Sequence, residues 1–262
     1  MNPTISLAAL AAAAALALPA ASDAATLLAL GTDGKLRHID TDTRKASPAM
    51  AITGADGMVM AVATRPADGK LYGITDKGQV VSIDPMTGKA MQVSKLDKKL
   101  EPGARVSANF NPVVDRLRVV GISGANYRIH VDTGAVTVDG TLKYAAGTPF
   151  AGSAPMITAA AYSNHVAGTK ETGLYTIDPM LSSFNTQAPP NDGVQNMKGA
   201  IATKLPYGLG FDIQTDDKGG NWGWLVAGEA LHTVNIAEAK IAMAGPITGL
   251  GGAEIVSVAV KK

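Results

Sequence analysis

The chain has no cysteine among its 262 residues. That excludes disulfides, thiol nucleophiles and thiolate metal sites, so packing and hydrogen bonding alone must hold the fold. Aromatic residues make up 5% of the chain and charged residues 17%. Basic and acidic side chains nearly balance, at 23 and 22, for a formal net charge of +1. Such a balance gives no general attraction to nucleic acid or anionic lipid. Long apolar runs are scarce as well. The one at residues 5–18, ISLAALAAAAALAL, is shorter than the roughly 20 residues a spanning helix needs. No later stretch reaches 18 uncharged apolar residues, so no membrane insertion is expected beyond it.

The same early run, followed by Pro19 and by Ser22-Asp23-Ala24, has the form of a secretory signal peptide with a small-x-small cleavage site. It departs from the pattern in having no Lys or Arg ahead of the apolar core, and an attached Ala-rich helix is the competing reading. Residues 1–24 are therefore read as a leader and 25–262 as one exported domain, periplasmic or extracellular. Cleavage would remove one charged residue, Asp23, and move the net charge from +1 to +2.

What the chain does have is repetition. LLALGTDGKLRHID (27–40) and LYGITDKGQVVSID (71–84) align without a gap, 44 residues apart. Further copies are LRVVGISGANYRIHVD (117–132), GLYTIDPMLSSFNTQ from Gly173, and WLVAGEALHTVN from Trp224. Each is a short strand, a polar turn and a second strand. Every copy after the first follows another strand-like run: 58–66, 104–112, 156–164 and 207–215. Pro66-Ala67-Asp68-Gly69 and Pro112-Val113-Val114-Asp115 supply hairpin turns, as do DPMTG (84–88), DTG (132–134) and PPNDG (189–193). Four hairpin-joined strands recurring at this spacing predict an all-β fold, a β-propeller of five four-stranded blades. The first copy lacks its inner strand, and IVSVAV (255–260) is a lone strand that can complete it. Four or six blades, a sandwich and an open meander are the competing architectures. Asp40, Asp84 and Asp132 recur at the end of the third strand, where a carboxylate stabilises a turn by accepting backbone N–H groups.

Within FNPVVDRLRVVGISGANYRIHVDTG (110–134), Arg116, Arg118 and Arg128 stand among apolar residues. A guanidinium between packed sheets must be hydrogen-bonded, because an unpaired buried charge costs several kcal/mol. One reading is a clamp between blades, with Asp115, Asp132, Asp139 and Glu101 as candidate partners. The other is that Arg118 and Arg128, with Asn126 in the enlarged turn, offer donors to a ligand.

The run NFNPVVDRLRVV, the segment YAAGTPFAGSAPMITAAAYSN and the turn PPNDG resemble the bacterial family known as domain of unknown function 4394. The resemblance covers about residues 26–260. It implies an exported, repeat-built β protein with no agreed activity. Where that pattern is commonly polar or acidic, this chain has Thr148 and Phe150, which speaks against a metal site on the 141–155 connection.

Catalytic signatures are missing. No GxSxG elbow, P-loop or HExxH occurs, and His38, His130 and His232 recur with the repeat in third strands. His165, just after an inner strand, is either a residue of the channel mouth or a surface loop residue. The inner strands converge, so one mouth can gather Thr64, Asn109, Asn111, Asn164, His165, Asp212 and Gln214. Asp212 is the one carboxylate there, too little charge for a hard cation. No catalytic residue, metal or cofactor is assigned. The expected function is a binding or scaffold module for a small molecule, a glycan or another envelope protein. Its candidate contacts are Asn109, Asn111, Arg118, Asn126, Arg128, His165 and Asp212. An envelope hydrolase or lyase with a polar or metal site at the axial mouth is the alternative.

Overall fold

In a computed structural model of the chain, residues 24–262 are described. The leader expected at residues 1–24 lies, Ala24 apart, outside the described residues. The rest is a ring of five antiparallel sheets. Blade I holds β1 (Thr26–Gly31), β2 (Lys35–Asp40), β3 (Met50–Ala51) and, innermost, β21 (Ile255–Val260). Blade II runs outward through β4 (Val59–Thr64), β5 (Leu71–Thr75), β6 (Gln79–Ile83) and β7 (Ala90–Lys95). Blade III comprises β8 (Val106–Asn111), β9 (Arg116–Gly121), β10 (Asn126–His130) and β11 (Ala135–Val138). Blade IV comprises β13 (Ala159–Tyr162), β14 (Leu174–Asp178), β15 (Ser183–Gln187) and β16 (Val194–Ala200). Its outer edge gains a parallel fifth strand, β12 (Lys143–Tyr144), which the repeat did not announce. Blade V is β17 (Leu209–Thr215), β18 (Asn221–Ala227), β19 (Ala230–Asn235) and β20 (Lys240–Pro246). No helix among the described residues is long and apolar enough to cross a membrane.

The ring closes as the sequence predicts. β21 pairs antiparallel with β1, Leu27 opposite Val260 and Leu30 opposite Ser257. Five inner strands can meet round a narrow axis because their side chains are small: Ala61, Ala63, Ser107, Ala108, Ala159, Ala161, Gly210 and Ala259. A Cβ on Gly210 would lie 2.5 Å from Val258 Cγ1, so β17 and β21 approach more closely than any larger residue permits.

An apolar cluster lies at each of the five blade interfaces. The II–III cluster, with Phe110, Leu117 and Ile129, and the IV–V cluster, with Phe184, Phe211 and Leu225, hold 14 buried residues each. The III–IV cluster holds only six, among them Val120, Leu142 and Tyr162. That interface must be held by something besides hydrophobic burial.

The turn chemistry is local and legible. Asp40 Oδ1 accepts the Thr43 N–H at 2.7 Å, and Asp84 Oδ1 accepts the Met86 N–H at 2.8 Å. Both carboxyls are held below their ordinary range, first of all by those backbone bonds. Asp132 departs from this expectation. Its carboxylate turns to Arg65 of blade II instead, and the guanidinium is the chief cause of its lowered pKa.

Candidate functional site

All inner strands run the same way, so their last residues gather on one face of the ring. There the axis is plugged. Asn109 Nδ2 donates across the ring, from blade III to blade V, to Asp212 Oδ1 at 2.9 Å. The same oxygen accepts the Ile213 N–H, and Asp212 Oδ2 accepts the Val260 N–H of the closing strand at 2.7 Å. Asn109 Oδ1 accepts the Tyr162 N–H at 3.0 Å. Thr64 Oγ1 donates to the Val260 carbonyl. Asp212 thus ties three backbone and side-chain donors and joins blades III, V and I.

His165 is completely buried, not a surface loop residue. Its backbone N–H donates to Thr215 Oγ1, while neither ring nitrogen has a hydrogen-bond partner among the described residues. Burial pushes its pKa down. The Asp212 carboxylate pulls against that, and the Lys262 ammonium adds to it. Asn164 and Asn221 bond one another beside it and tie blade IV to blade V. Asn111 stands apart, with Oδ1 accepting the Val113 and Val114 N–H groups of its own turn. Gln214 Oε1 accepts the Trp224 indole N–H.

The arginines build a second cluster, at the interface with the smallest apolar core. Arg118 Nη1 donates to Asp139 Oδ2 at 2.6 Å and to Asn126 Oδ1 at 2.7 Å. Its Nη2 reaches Asn191 Oδ1 at 2.7 Å, and Nε reaches the Tyr162 hydroxyl at 3.2 Å, both in blade IV. Arg128 grips the same Asp139 with two bonds, at 2.7 and 2.9 Å. Asn126 Nδ2 donates to the Gly140 and Pro190 carbonyls. The chain of contacts continues into blade IV through Gln187, Gln195 and Thr176. Arg118 and Arg128 therefore end on a carboxylate of their own blade, and Arg118 crosses to blade IV through neutral acceptors. Among the described residues Arg116 has no carboxylate within 4.0 Å. Its Nη1 donates to the Val114 and Asp115 carbonyls. Glu101 pairs with Lys99.

The clamp from carboxylate to arginine between blades exists, but through a residue that sequence reasoning passed over. Arg65, at the end of β4, holds Asp115 with bonds of 2.9 and 2.5 Å and Asp132 with two of 3.0 Å. Its pKa is raised, chiefly by Asp115. The signal was present in the repeat: a cation before a turn proline, opposite two aspartates of the next copy.

Beyond these knots, the same face carries a cleft of about 470 Å³ between blades I and II. Leu28, Leu71, Ile83 and Met91 line it, and Lys70, Lys89, Lys261 and Lys262 stand around it. Nothing in the local sequence announces this cleft, since its walls come from segments about 200 residues apart. Among the described residues, no group of three or more His, Cys, Asp or Glu side chains is placed to hold a metal ion.

Sheet order, closure and a stitched axis define a five-bladed β-propeller protein. The chain belongs to the family described as domain of unknown function (DUF4394), whose profile matches residues 35–259. No curated protein matches it. A solved structural genomics protein of unknown function from Bacteroides thetaiotaomicron is similar in fold, with TM-score 0.56 and 17% identity over 90% of this chain and 64% of that one. An auxiliary nutrient binding protein from Bacteroides ovatus aligns with TM-score 0.45 and 14% identity, over 82% of this chain and 58% of that one. The chain thus spans less than two thirds of the length of either structure.

Proposed function

We propose that this chain is an exported binding protein, working in the periplasm or outside the cell, that holds a small molecule on the ring face where the inner strands end. The observation that carries this reading is the cleft between blades I and II. Its size falls within the range of small-molecule sites, and it combines apolar walls with a few charged groups. The polar groups at the axis support binding over chemistry, because Asp212 and Asn109 are occupied in joining blades. Of the residues singled out from the sequence, Asn109, Asn111, Arg118, Asn126 and Asp212 act in this reading as the scaffold. Arg128, bound twice to Asp139, and His165, completely buried with its ring nitrogens unpartnered among the described residues, do not line this cleft.

The test is a thermal-shift screen of the chain against sugars, organic acids, amines and short lipids, repeated with Ser82→Phe to fill the cleft. A stabilising compound whose effect disappears in the filled variant supports the reading. A screen with no stabilising compound removes it. The alternative, a hydrolase or lyase at the axial mouth, has one observation in its favour, the unpartnered His165 imidazole close enough to Asp212 to feel its charge. Hydrolysis of ester or glycoside reporters that His165→Gln abolishes, with the fold intact, would favour it instead.

A further inference from the structure

Two clefts of similar size lie on opposite faces of blade II, and their lysines differ. On the face where the inner strands begin, a cleft of about 570 Å³ is bordered by Lys77, Lys98 and Lys99. Each of those cations has a protein acceptor: Asp56 at 3.1 Å, the Val136 carbonyl at 2.8 Å and Glu101 at 3.3 Å. In the cleft between blades I and II, none of Lys70, Lys89, Lys261 and Lys262 has a carboxylate within 4.0 Å among the described residues. The Lys261 ammonium sits 3.8 Å from the Met86 thioether, a poor acceptor.

Nearby carboxylates are already engaged. Asp84, which lines the cleft, accepts the Met86 N–H, and Asp68 accepts the Lys70 N–H and the Tyr72 hydroxyl. Four cations thus surround a pocket whose floor is made by buried Leu28, Leu71 and Ile83. Lysines that pair with no carboxylate outnumber Asp84, the one acidic side chain lining the cleft, and over an apolar floor they match a ligand that has both an anionic group and an apolar body.

We infer that this cleft binds a small amphiphilic anion. Its charged group meets Lys70, Lys89 and Lys262, and its apolar body lies on Leu28, Leu71, Ile83 and the exposed Met91. This inference rests on the binding reading above and specifies its ligand class. It also links binding to ring closure, because Lys261 and Lys262 directly continue the closing strand. An occupied cleft holds that segment against blade II and raises the unfolding temperature.

The test is calorimetric titration and thermal unfolding of the chain with octanoate, octanol, octyltrimethylammonium and inorganic phosphate. Octanoate is expected to bind at one per chain and to raise the Tm. Octanol is expected to bind at least ten-fold more weakly, and the cation and free phosphate not at all. Affinity for octanoate falls at 0.5 M salt, and Lys70→Gln/Lys89→Gln/Lys262→Gln lowers it ten-fold or more. The triple variant unfolds at the parent Tm without ligand, because all three side chains are exposed. Lys240→Gln, on the outer strand of blade V, leaves binding unchanged. Equal binding of octanol and octanoate, or a triple variant that binds octanoate as the parent does, overturns the anion inference and leaves the binding reading standing. Silence from all four probes also overturns it, and the binding reading then stands or falls on the wider screen.

Discussion

Arg118 is 2% exposed, yet four protein acceptors receive its N–H groups. A buried guanidinium is tolerated only on such terms, and removing it would leave Asp139 and Asn126 facing a hole. Arg118→Met is therefore expected to cost about 3–5 kcal/mol. Arg128→Met, where the side chain is partly exposed, should cost less than about 1 kcal/mol. Urea midpoints at constant m-value separate the two, and equal losses would count against a clamp at Arg118. His165 makes the opposite kind of prediction. Its folded pKa is depressed by burial, so the folded chain keeps it neutral where the unfolded chain takes up a proton. Its contribution is complete above the unfolded value of about 6.5 and declines as pH falls below it. His232 is shifted the same way. The lowered Asp33, Asp40, Asp84 and Asp132 act only further down, as pH falls through about 4. Tm measured from pH 7 to 5 should fall in the parent, and the slope should flatten in His165→Gln.

Besides the pairing of β12 with β16, one buried carboxylate ties the two ends of the connection at 141–155 together. Asp178 Oδ2 accepts the Tyr144 hydroxyl at one end of the segment and the Met156 N–H at the other, each at 2.8 Å. Its Oδ1 accepts the Met180 and Leu181 N–H groups of the next turn. Burial and the neighbouring Asp178 keep the Tyr144 hydroxyl protonated, and Phe150 packs edge-on against its ring. Tyr144→Phe removes the hydroxyl bonds to Asp178 and Ser183 and should cost about 1–2 kcal/mol. It should also speed proteolysis within 145–155 at a temperature where the ring stays folded. An unchanged cleavage rate would place the anchor elsewhere. What was legible in the sequence divides along this line. Hairpins were readable because Pro66, Gly69 and Asp115 act through their own backbone, and Gly69 and Asp115 take the expected positive φ. Arg65 was missed because its meaning lies in Asp115 and Asp132, some 50 and 67 residues away. The tie from Asp178 to Tyr144 and Met156 was unreadable for the same reason, and β12 because a two-residue strand has no period of its own.

At the scale of the whole molecule, one strand decides whether there is a ring. β21 supplies the inner edge of blade I, and its Ile255, Val258 and Val260 are buried in the V–I cluster. Burial of each is worth roughly 1.5–3 kcal/mol, against a net stability of about 5–15 kcal/mol for a typical domain. The strand also carries ties on both sides, since Ser257 Oγ donates to the Val62 carbonyl of blade II and the Val260 N–H donates to Asp212 of blade V. Its loss exposes the edge of β1 and removes the Val260 donor from Asp212 Oδ2 at the axis together. Deleting residues 255–262 is therefore expected to abolish cooperative unfolding, although every other blade keeps its four strands. A peptide of residues 255–262 added in trans should restore part of the transition in proportion to its concentration, because folding is then linked to its binding. The same peptide carrying Val258→Pro lacks the N–H and the backbone freedom that the pairing needs, and should fail. A truncated chain that still unfolds cooperatively, near the parent temperature and indifferent to the peptide, would show that the circle is held by its interfaces and not by its closing strand.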